Sequence, residues 1–392
     1  MYESLKKRFT DQFGTKPGFV FSAPGRTEIG GNHTDHQHGC VLAGAVNLDT
    51  VAAVARSERG AIRVLSEGYP LCEVSLSELE AVPAEAGTTK ALVRGIAARF
   101  AALGHAPVAF DAYVTSNVLS GSGLSSSAAY EILVATIIDC FFGGGTLDPV
   151  ERAKVGQYAE NVYFGKPCGL MDQMGSSVGG AVAIDFADPA APVVKKVEYD
   201  FTRSGHALCI VDTGSCHADL TDDYADITRE MGAVAAHFGK KFLRDVDEGA
   251  FRAALPQLRQ ECGDRAVLRT MHFFEEDCRA EQEAQALEQG DFAAFLALVD
   301  QSGLSSALNL QNTWSAAAPQ QQAIPVALAV GRELLGGSGA IRVHGGGFAG
   351  TIQAFVPNEK LETFQQGMEE LLGPGMCHIL HIRPQGGCVV LK

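Results

Sequence analysis

The stretch Leu119-Ser-Gly-Ser-Gly-Leu-Ser-Ser-Ser-Ala-Ala129 decides how this chain is read. Gly121 and Gly123 carry no side chain, so backbone N–H groups there can come close to an anion. Ser122, Leu124 and the run Ser125, Ser126, Ser127 complete the loop, the serines offering hydroxyls and a helix cap. The residues that follow, AAYEILVATIID, form a good helix sequence. A Gly/Ser loop running into a helix N-terminus makes a phosphate cradle, because unpaired N–H groups and the helix dipole both point at its mouth. This is not a Walker A loop, since the Gly-Lys-Ser/Thr ending is missing, and Ser126 stands where a dinucleotide loop would place its third glycine. A flexible linker capped by serine is the plain alternative that this stretch leaves open.

Outward from the loop, mixed elements run in both directions. Upstream, 2–14 puts Tyr2, Leu5, Phe9 and Phe13 on one helix face. Short strands are expected at 19–22, 40–55, 61–66, 71–76 and 108–116, with a helix over 90–103 and a polar, Gly-rich loop from 24 to 39. Downstream, helices are expected near 126–142 and 149–163, then a Gly-containing turn over 165–180. Strands follow near 181–186, 193–199 and 207–213, and helical patterns dominate 221–335. The C-terminal part reads as strand 340–343, Gly loop 345–350, strand 351–356, helix 358–372 and closing strands at 378–382 and 388–391, a βαβ-like unit.

The 392 residues suggest two to three domains by length alone. The chain is 46% hydrophobic and 20% charged, which excludes a disordered, collagen-like or coiled-coil chain. Its 31 basic and 46 acidic residues give −15, a field that repels nucleic-acid phosphates and anionic membranes. The N-terminus MYESLKKRFTDQFG has neither the apolar core nor the cleavage site of a signal peptide, and nowhere do 18 apolar residues run together. The ten cysteines are scattered without zinc spacing, as expected of thiols in a reducing cytosol. A cytoplasmic protein is the expectation.

Further stretches carry chemistry. Pro24-Gly-Arg-Thr-Glu-Ile-Gly-Gly-Asn-His-Thr-Asp-His-Gln-His-Gly39 crowds Arg26, Asn32, His33, Asp35, His36 and His38 behind a strand. A metal site on His33, Asp35, His36 and His38, a polyol-binding loop and a solvated turn all remain possible readings. Glu160-Asn-Val-Tyr-Phe-Gly-Lys-Pro-Cys-Gly-Leu-Met-Asp-Gln173 places Asp172 just after Gly169, where an N-cap and a catalytic carboxylate compete as readings. His344-Gly-Gly-Gly-Phe-Ala-Gly350 is a Gly loop between strands, or a tight hairpin.

In this order, PGRxxxxGxHTD, GxGLSSSAA, CGLMDQ and GGGF resemble the galactokinase branch of the GHMP small-molecule kinases, from about residue 22 to the C-terminus. VDTGSCHADLTDDY (211–224) is similar to that family's sugar-contact strand and helix, and RTMHFFEED (269–277) to its R-x-x-H-x-x-x-E segment. The resemblance implies a two-lobed α+β fold: an N-terminal mixed sheet with helices over 1–205 and a ferredoxin-like lobe over 206–392. It implies ATP, Mg²⁺ and a sugar between the lobes, with residues 121–127 around the phosphates. Ser126 or Ser127 would meet Mg²⁺, with Glu160 as carboxylate ligand. Asp172 and Arg26 would face the anomeric hydroxyl. Asn32, His33, Asp35, Gly169 and Tyr224 would hold other hydroxyls, and Gly345, Gly346 and Gly347 would close behind the phosphates and the sugar. It demotes the metal reading of 33–38.

The usual pattern GRVNLIGEHTDY reads GRTEIGGNHTDH here, with Asn32 in place of Glu and His36 in place of Tyr. These changes leave the kinase residues intact and bear on which sugar is taken. The implied activity is phosphorylation of a hexose anomeric hydroxyl, galactose first. A C6-modified galactose such as galacturonate, or a non-catalytic sugar and ATP sensor, stands as the alternative. The implied partners are a small-molecule sugar and ATP, with no nucleic acid and no membrane; nothing in the sequence sets an oligomeric state.

Overall fold

The longest strand of the fold pairs on both edges and organises the N-terminal half. In sequence, β1 is Phe19–Gly30, β2 Cys40–Arg56, β3 Ala61–Ser66, β4 Cys72–Ser75, β5 Phe110–Ser116 and β6 Ala181–Asp185. β7 is Val193–Val197, β8 His206–Asp212, β9 Ala340–Val343, β10 Thr351–Pro357, β11 Cys377–Leu380 and β12 Cys388–Leu391. The computed structural model describes residues 2–391 except Pro107, Ser120, Gly121, Pro167 and residues 216–219. β2 is long enough to pair β1 along one edge and, in succession, β6 and then β5 along the other. Its apolar, partly β-branched sequence CVLAGAVNLDTVAAVAR suits burial on both faces. Among the described residues the larger sheet runs β12-β1-β2-β5-β3-β4 with β6 and β7 branching from β2, and the smaller runs β11-β8-β10-β9.

In the smaller sheet β10 and β11 both lie antiparallel to β8, so they are parallel to each other. With the helix Leu361–Leu372 between them in sequence they form a split βαβ unit. The last strand leaves this unit: β12 pairs with β1 in the larger sheet. The helix Ser126–Ile138 is apolar all round and buried between the larger sheet and its neighbours, where Ile132, Leu133 and Ile137 meet Phe21, Phe100 and Phe110. Ser126–Gly143 is long and apolar enough to cross a membrane by composition, and most of it lies inside the fold.

Two elements differ from the sequence expectation, and both matter for function. The strand expected at 19–22 continues to Gly30, with bulges between Pro24 and Arg26 and between Glu28 and Gly30. Residues 24–30 look like a loop because they are polar and Gly-rich, but they are buried between the lobes and find partners there. The turn expected over 165–180 contains the helix Met171–Val178, which packs on β1 through Gly175. A Cβ on Gly175 would stand 2.9 Å from the Arg26 Cβ, so glycine sets how closely that helix lies on the strand.

Candidate active site

The β1 bulge turns Arg26 toward the 122–127 segment. Gly25 allows this, because a Cβ there would stand 2.9 Å from both the Leu124 carbonyl oxygen and Val118. The Arg26 amide donates to Leu124 O at 3.0 Å, and its guanidinium donates to Gly123 O. The same guanidinium holds Asp172 in the first turn of Met171–Val178, with Nε at 2.8 Å and Nη2 at 2.6 Å from Oδ1. The Ser125 hydroxyl donates to the other oxygen, Oδ2, at 2.6 Å. Asp172 therefore joins strand, helix and loop at one point. Burial pushes its carboxyl up, but the Arg26 charge and the Ser125 and Arg26 hydrogen bonds outweigh this and hold it below the usual carboxylate range.

Asp35 lies beside this centre. A Cβ on Gly169 would stand 2.7 Å from Asp35 Oδ2, so Gly169 leaves room for that carboxylate. Burial raises the Asp35 carboxyl, the bond from the His36 amide lowers it, and the nearby Asp172 charge raises it further. His33 adopts a left-handed φ of 60°, rare for a side chain with a Cβ, and Tyr224 stacks on its ring at 6.4 Å. Asn32 is fully buried. Its Nδ2 donates to Glu28 at 2.9 Å and to Gly345 O at 2.6 Å, and its Oδ1 accepts from Asn312 at 2.9 Å and Ser306 at 3.3 Å. Its amide is thus occupied by protein groups beneath the glycine loop. Glu28 in turn pairs with Arg342 at 2.6 Å.

The long helix Asp264–Glu288 explains the 269–277 segment. Arg269, His272, Glu276 and Glu283 form a buried polar stripe along one face. Two of them grip the backbone of the 31–32 turn: Glu276 accepts from the Gly31 and Asn32 amides at 3.2 Å, and His272 Nε2 meets Asn32 O at 2.9 Å.

At the other end of the site, Gly123 has a φ of 73°, and a Cβ there would meet the His344 ring at 3.0 Å. The Ser122 hydroxyl closes the loop onto Leu119 O, and Leu124 is buried. Gly121 lies outside the described residues. Ser126 and Ser127 open the helix, and their hydroxyls have no partner among the described residues. Beyond them is a cleft of about 660 Å³ lined by Ser66, Tyr69, Leu71, Lys90, Ser127 and Tyr130, among others. Glu160 is buried and shares one donor, Gln173 Nε2, with the buried Glu131, each at 2.9 Å. Glu131 Oε1 has no partner among the described residues, and burial together with Glu160 holds its carboxyl well above the usual range.

The expected residues Arg26, Asp35, Gly169, Asp172 and the 122–127 segment come together, with the 345–347 loop reached through His33 and Tyr224. Among the described residues, the ligand atoms of His33, Asp35, His36 and His38 do not form a metal-sized set; His38 instead stacks on Phe242 at 3.6 Å. Sequence reasoning missed Glu131, Gln173, Glu28, Arg342 and Asn312. Glu131 had a signal, a lone charge on an apolar helix one turn beyond Ser127. Asn312 had none, lying in the unpatterned stretch after Leu310.

Residues 7–56 match the galactokinase galactose-binding signature, and residues 91–180 match the GHMP kinases N terminal domain. A galactokinase of Streptomyces coelicolor is 31% identical over 367 residues, 94% of this chain and 92% of that protein. The crystal structure of Lactococcus lactis galactokinase complexed with galactose superposes with a TM-score of 0.80 at 23% identity, over 98% of this chain and 99% of that one. The mevalonate kinase of Methanococcus jannaschii gives a TM-score of 0.66 at 14% identity, over 93% of this chain and 98% of that one.

Proposed function

Because the chain belongs to the galactokinase family, we propose that it transfers the γ-phosphoryl group of ATP to the anomeric hydroxyl of galactose, giving galactose 1-phosphate and ADP. The observation that carries this is Asp172, bonded at once to Arg26 of β1 and to Ser125 at the helix mouth, with Asp35 and Gly169 beside it. The anomeric oxygen forms a bond to the γ-phosphorus, the bond to the β–γ bridging oxygen breaks, and its electron pair leaves with ADP. The hydroxyl proton goes to the Asp172 carboxylate. Since Arg26 and Ser125 hold that carboxylate ionised and make it a weak base, it orients the hydroxyl first and receives the proton late. The N–H groups at the start of Ser126–Ile138 receive the phosphates, and the cleft beyond Ser127, with Tyr69, Leu71 and Tyr130, has the size and apolar walls for the base.

The residues present fit Mg²⁺. Two buried carboxylates, Glu131 and Glu160, share the Gln173 amide donor, Glu160 having Lys166 besides at 3.3 Å, and among the described residues Glu131 Oε1 and the Ser126 and Ser127 hydroxyls have no partner. Glu160 with Ser126 or Ser127 would hold the ion, which when bound neutralises charge on the β- and γ-phosphates.

A neutral sugar suits the site better than a uronate. The guanidiniums of Arg26 and Arg342 already hold Asp172 and Glu28, so neither is left to pair a uronate carboxylate. The test is purified protein with ATP, Mg²⁺ and a panel of galactose, galacturonate and other hexoses, with the product read by phosphorus NMR. We expect an anomeric phosphate from galactose. No transfer to any sugar, or transfer to another hydroxyl, would overturn the reading.

A further inference from the structure

The glycine loop after β9 is held from one side by its carbonyl oxygens. Gly345 O accepts from Asn32 Nδ2 at 2.6 Å, Gly346 O faces His33 Nε2 at 2.9 Å and Asn312 Nδ2 at 3.1 Å, and Gly347 O accepts from the Tyr224 hydroxyl at 2.9 Å. A carbonyl cannot donate, so the proton of His33 sits on Nε2, and amide nitrogens of Asn32 and Asn312 must face the loop. In a trans peptide the C=O and the following N–H point in opposite directions. Pulling Gly345 O toward Asn32 therefore turns the Gly346 N–H away from it. The amides of Gly345 and Gly346 donate to no described residue, whereas the carbonyls of the loop are all engaged.

Asn312 is the hub of this arrangement. Its Nδ2 also donates to Asn32 Oδ1 at 2.9 Å, its own carbonyl accepts from the Phe348 amide at 2.5 Å, and it is fully buried. A Cβ on Gly347 would overlap the Asn312 carbonyl and amide, so the loop lies directly on this residue. Phe348 is held at a φ of 61°, which shows that the loop's path is imposed by its contacts. Asn32 has the chemistry this clasp requires: an amide donates to Gly345 O and accepts from Asn312, whereas a carboxylate at that position could only accept.

We propose that Asn312 is a positioning residue for phosphoryl transfer, acting with Asn32 to hold the carbonyls of residues 345–347 back so that the loop's free amides face the transferring phosphoryl group. This rests on the kinase reading above. Its effect belongs to the transition state, where charge on the phosphoryl oxygens meets oriented N–H groups, and not to ground-state sugar binding.

The test is steady-state kinetics of the full chain with galactose and ATP for the parent, Asn312→Ala and Asn312→Asp, each checked for folding by circular dichroism and melting. Asn312→Ala removes the donor. Asn312→Asp keeps the shape but opposes an acceptor to Gly346 O and Asn32 Oδ1. We expect kcat to fall about tenfold for Asn312→Ala and further for Asn312→Asp, with both KM values within about twofold. The affinity for ADP, Mg²⁺, aluminium fluoride and galactose together should weaken in step with kcat. A purely structural role would lower the melting temperature and leave kcat per folded molecule unchanged. Should Asn312→Asp not fold, Asn312→Ala carries the test. A parent enzyme active on galactose whose Asn312→Ala variant keeps kcat within twofold overturns this inference alone, as does a rise in galactose KM at constant kcat. A parent that phosphorylates no sugar overturns the kinase reading and this inference with it.

Discussion

At the residue scale the site is a set of carboxylates whose environments differ. Asp172 is held below the ordinary carboxylate range by Arg26 and Ser125, while burial raises Asp35 and Glu131. On the proposed mechanism, replacing Asp172 by Ala removes the group that orients the attacking hydroxyl, and kcat is expected to fall at least about 10²-fold. ATP affinity, measured by titration calorimetry, should change little, because the Arg26 bonds to Gly123 O and Leu124 O remain when the Asp172 carboxylate is removed. Near-parental turnover would remove Asp172 from the mechanism. Because its pKa is depressed in the free protein, the ionised form persists as pH falls, so the acid limb of kcat/KM assigned to it should lie below the ordinary aspartate range. Asn32 makes the second residue-scale prediction. Asn32→Glu would set a second carboxylate against buried Glu28 and point an acceptor at Gly345 O. It should destabilise the fold by about 3 kcal/mol, as an unpaired buried charge does. The exchange Glu28→Asn with Asn32→Glu should recover part of that loss, since only one carboxylate then remains near Arg342. Urea melts check both, and an Asn32→Glu protein as stable as the parent would refute the clasp drawn around Asn32. Arg26 and Asp172 were legible from their motifs. The occupancy of the Asn32 amide was not, because its partners Gly345, Ser306 and Asn312 lie 274 to 313 residues away.

At the element scale, what the sequence hid is the length of β1 and the helix Met171–Val178. Period-2 alternation fails over 24–30, since polar and glycine residues there are buried on both sides between the lobes. Within 165–180 the glycines mask a short helix whose stability comes from packing on β1, not from its own propensity. The helix from 126 was legible as a long apolar run behind serines, the strand at 61–66 and the C-terminal strands as short β-branched runs near glycines, and the helix at 361–372 by its single apolar face. Gly175 is the point where helix and strand touch. Gly175→Val should displace the helix start that carries Asp172, costing about 1–3 kcal/mol for the overpacked contact. It should also lower kcat more than it raises either KM, because Asp172 shifts relative to Arg26 while the phosphate cradle stays. Parental kinetics in a folded Gly175→Val protein would show that the helix position is not critical.

At the scale of the whole molecule, the lobes are joined through buried polar groups in addition to apolar packing. His344, at the end of β9, meets Thr27 of β1 at 3.0 Å through Nε2 and Thr351 of β10 at 2.9 Å through Nδ1, and Thr351 donates to Ser122 O at 3.1 Å. One imidazole thus connects β1, the smaller sheet and, through Thr351, the 122–127 segment. Burial first, then the charges of Arg26 and Arg342, hold it neutral well below the ordinary histidine range. The unfolded chain takes up a proton there near pH 6.5 while the folded one does not, so this group's contribution to stability falls as pH drops below about 6.5. Buried carboxyls with raised pKa values, Glu131 and Glu283 among them, pull the other way, so the parent's own pH curve mixes several groups. A difference between two proteins isolates the one of interest. Gln at position 344 can still accept and donate but cannot titrate. The stability gap between the parent and His344→Gln is therefore expected to favour the parent near pH 7.5 and to shrink by up to about 1.4 kcal/mol per pH unit between 6.5 and 5. Urea melts of both proteins across that range measure it. A gap independent of pH would mean that the imidazole is protonated in the folded state or that the lobes do not depend on its neutrality. A gap that widens on acidification would reverse the sign and place a charged histidine at the junction.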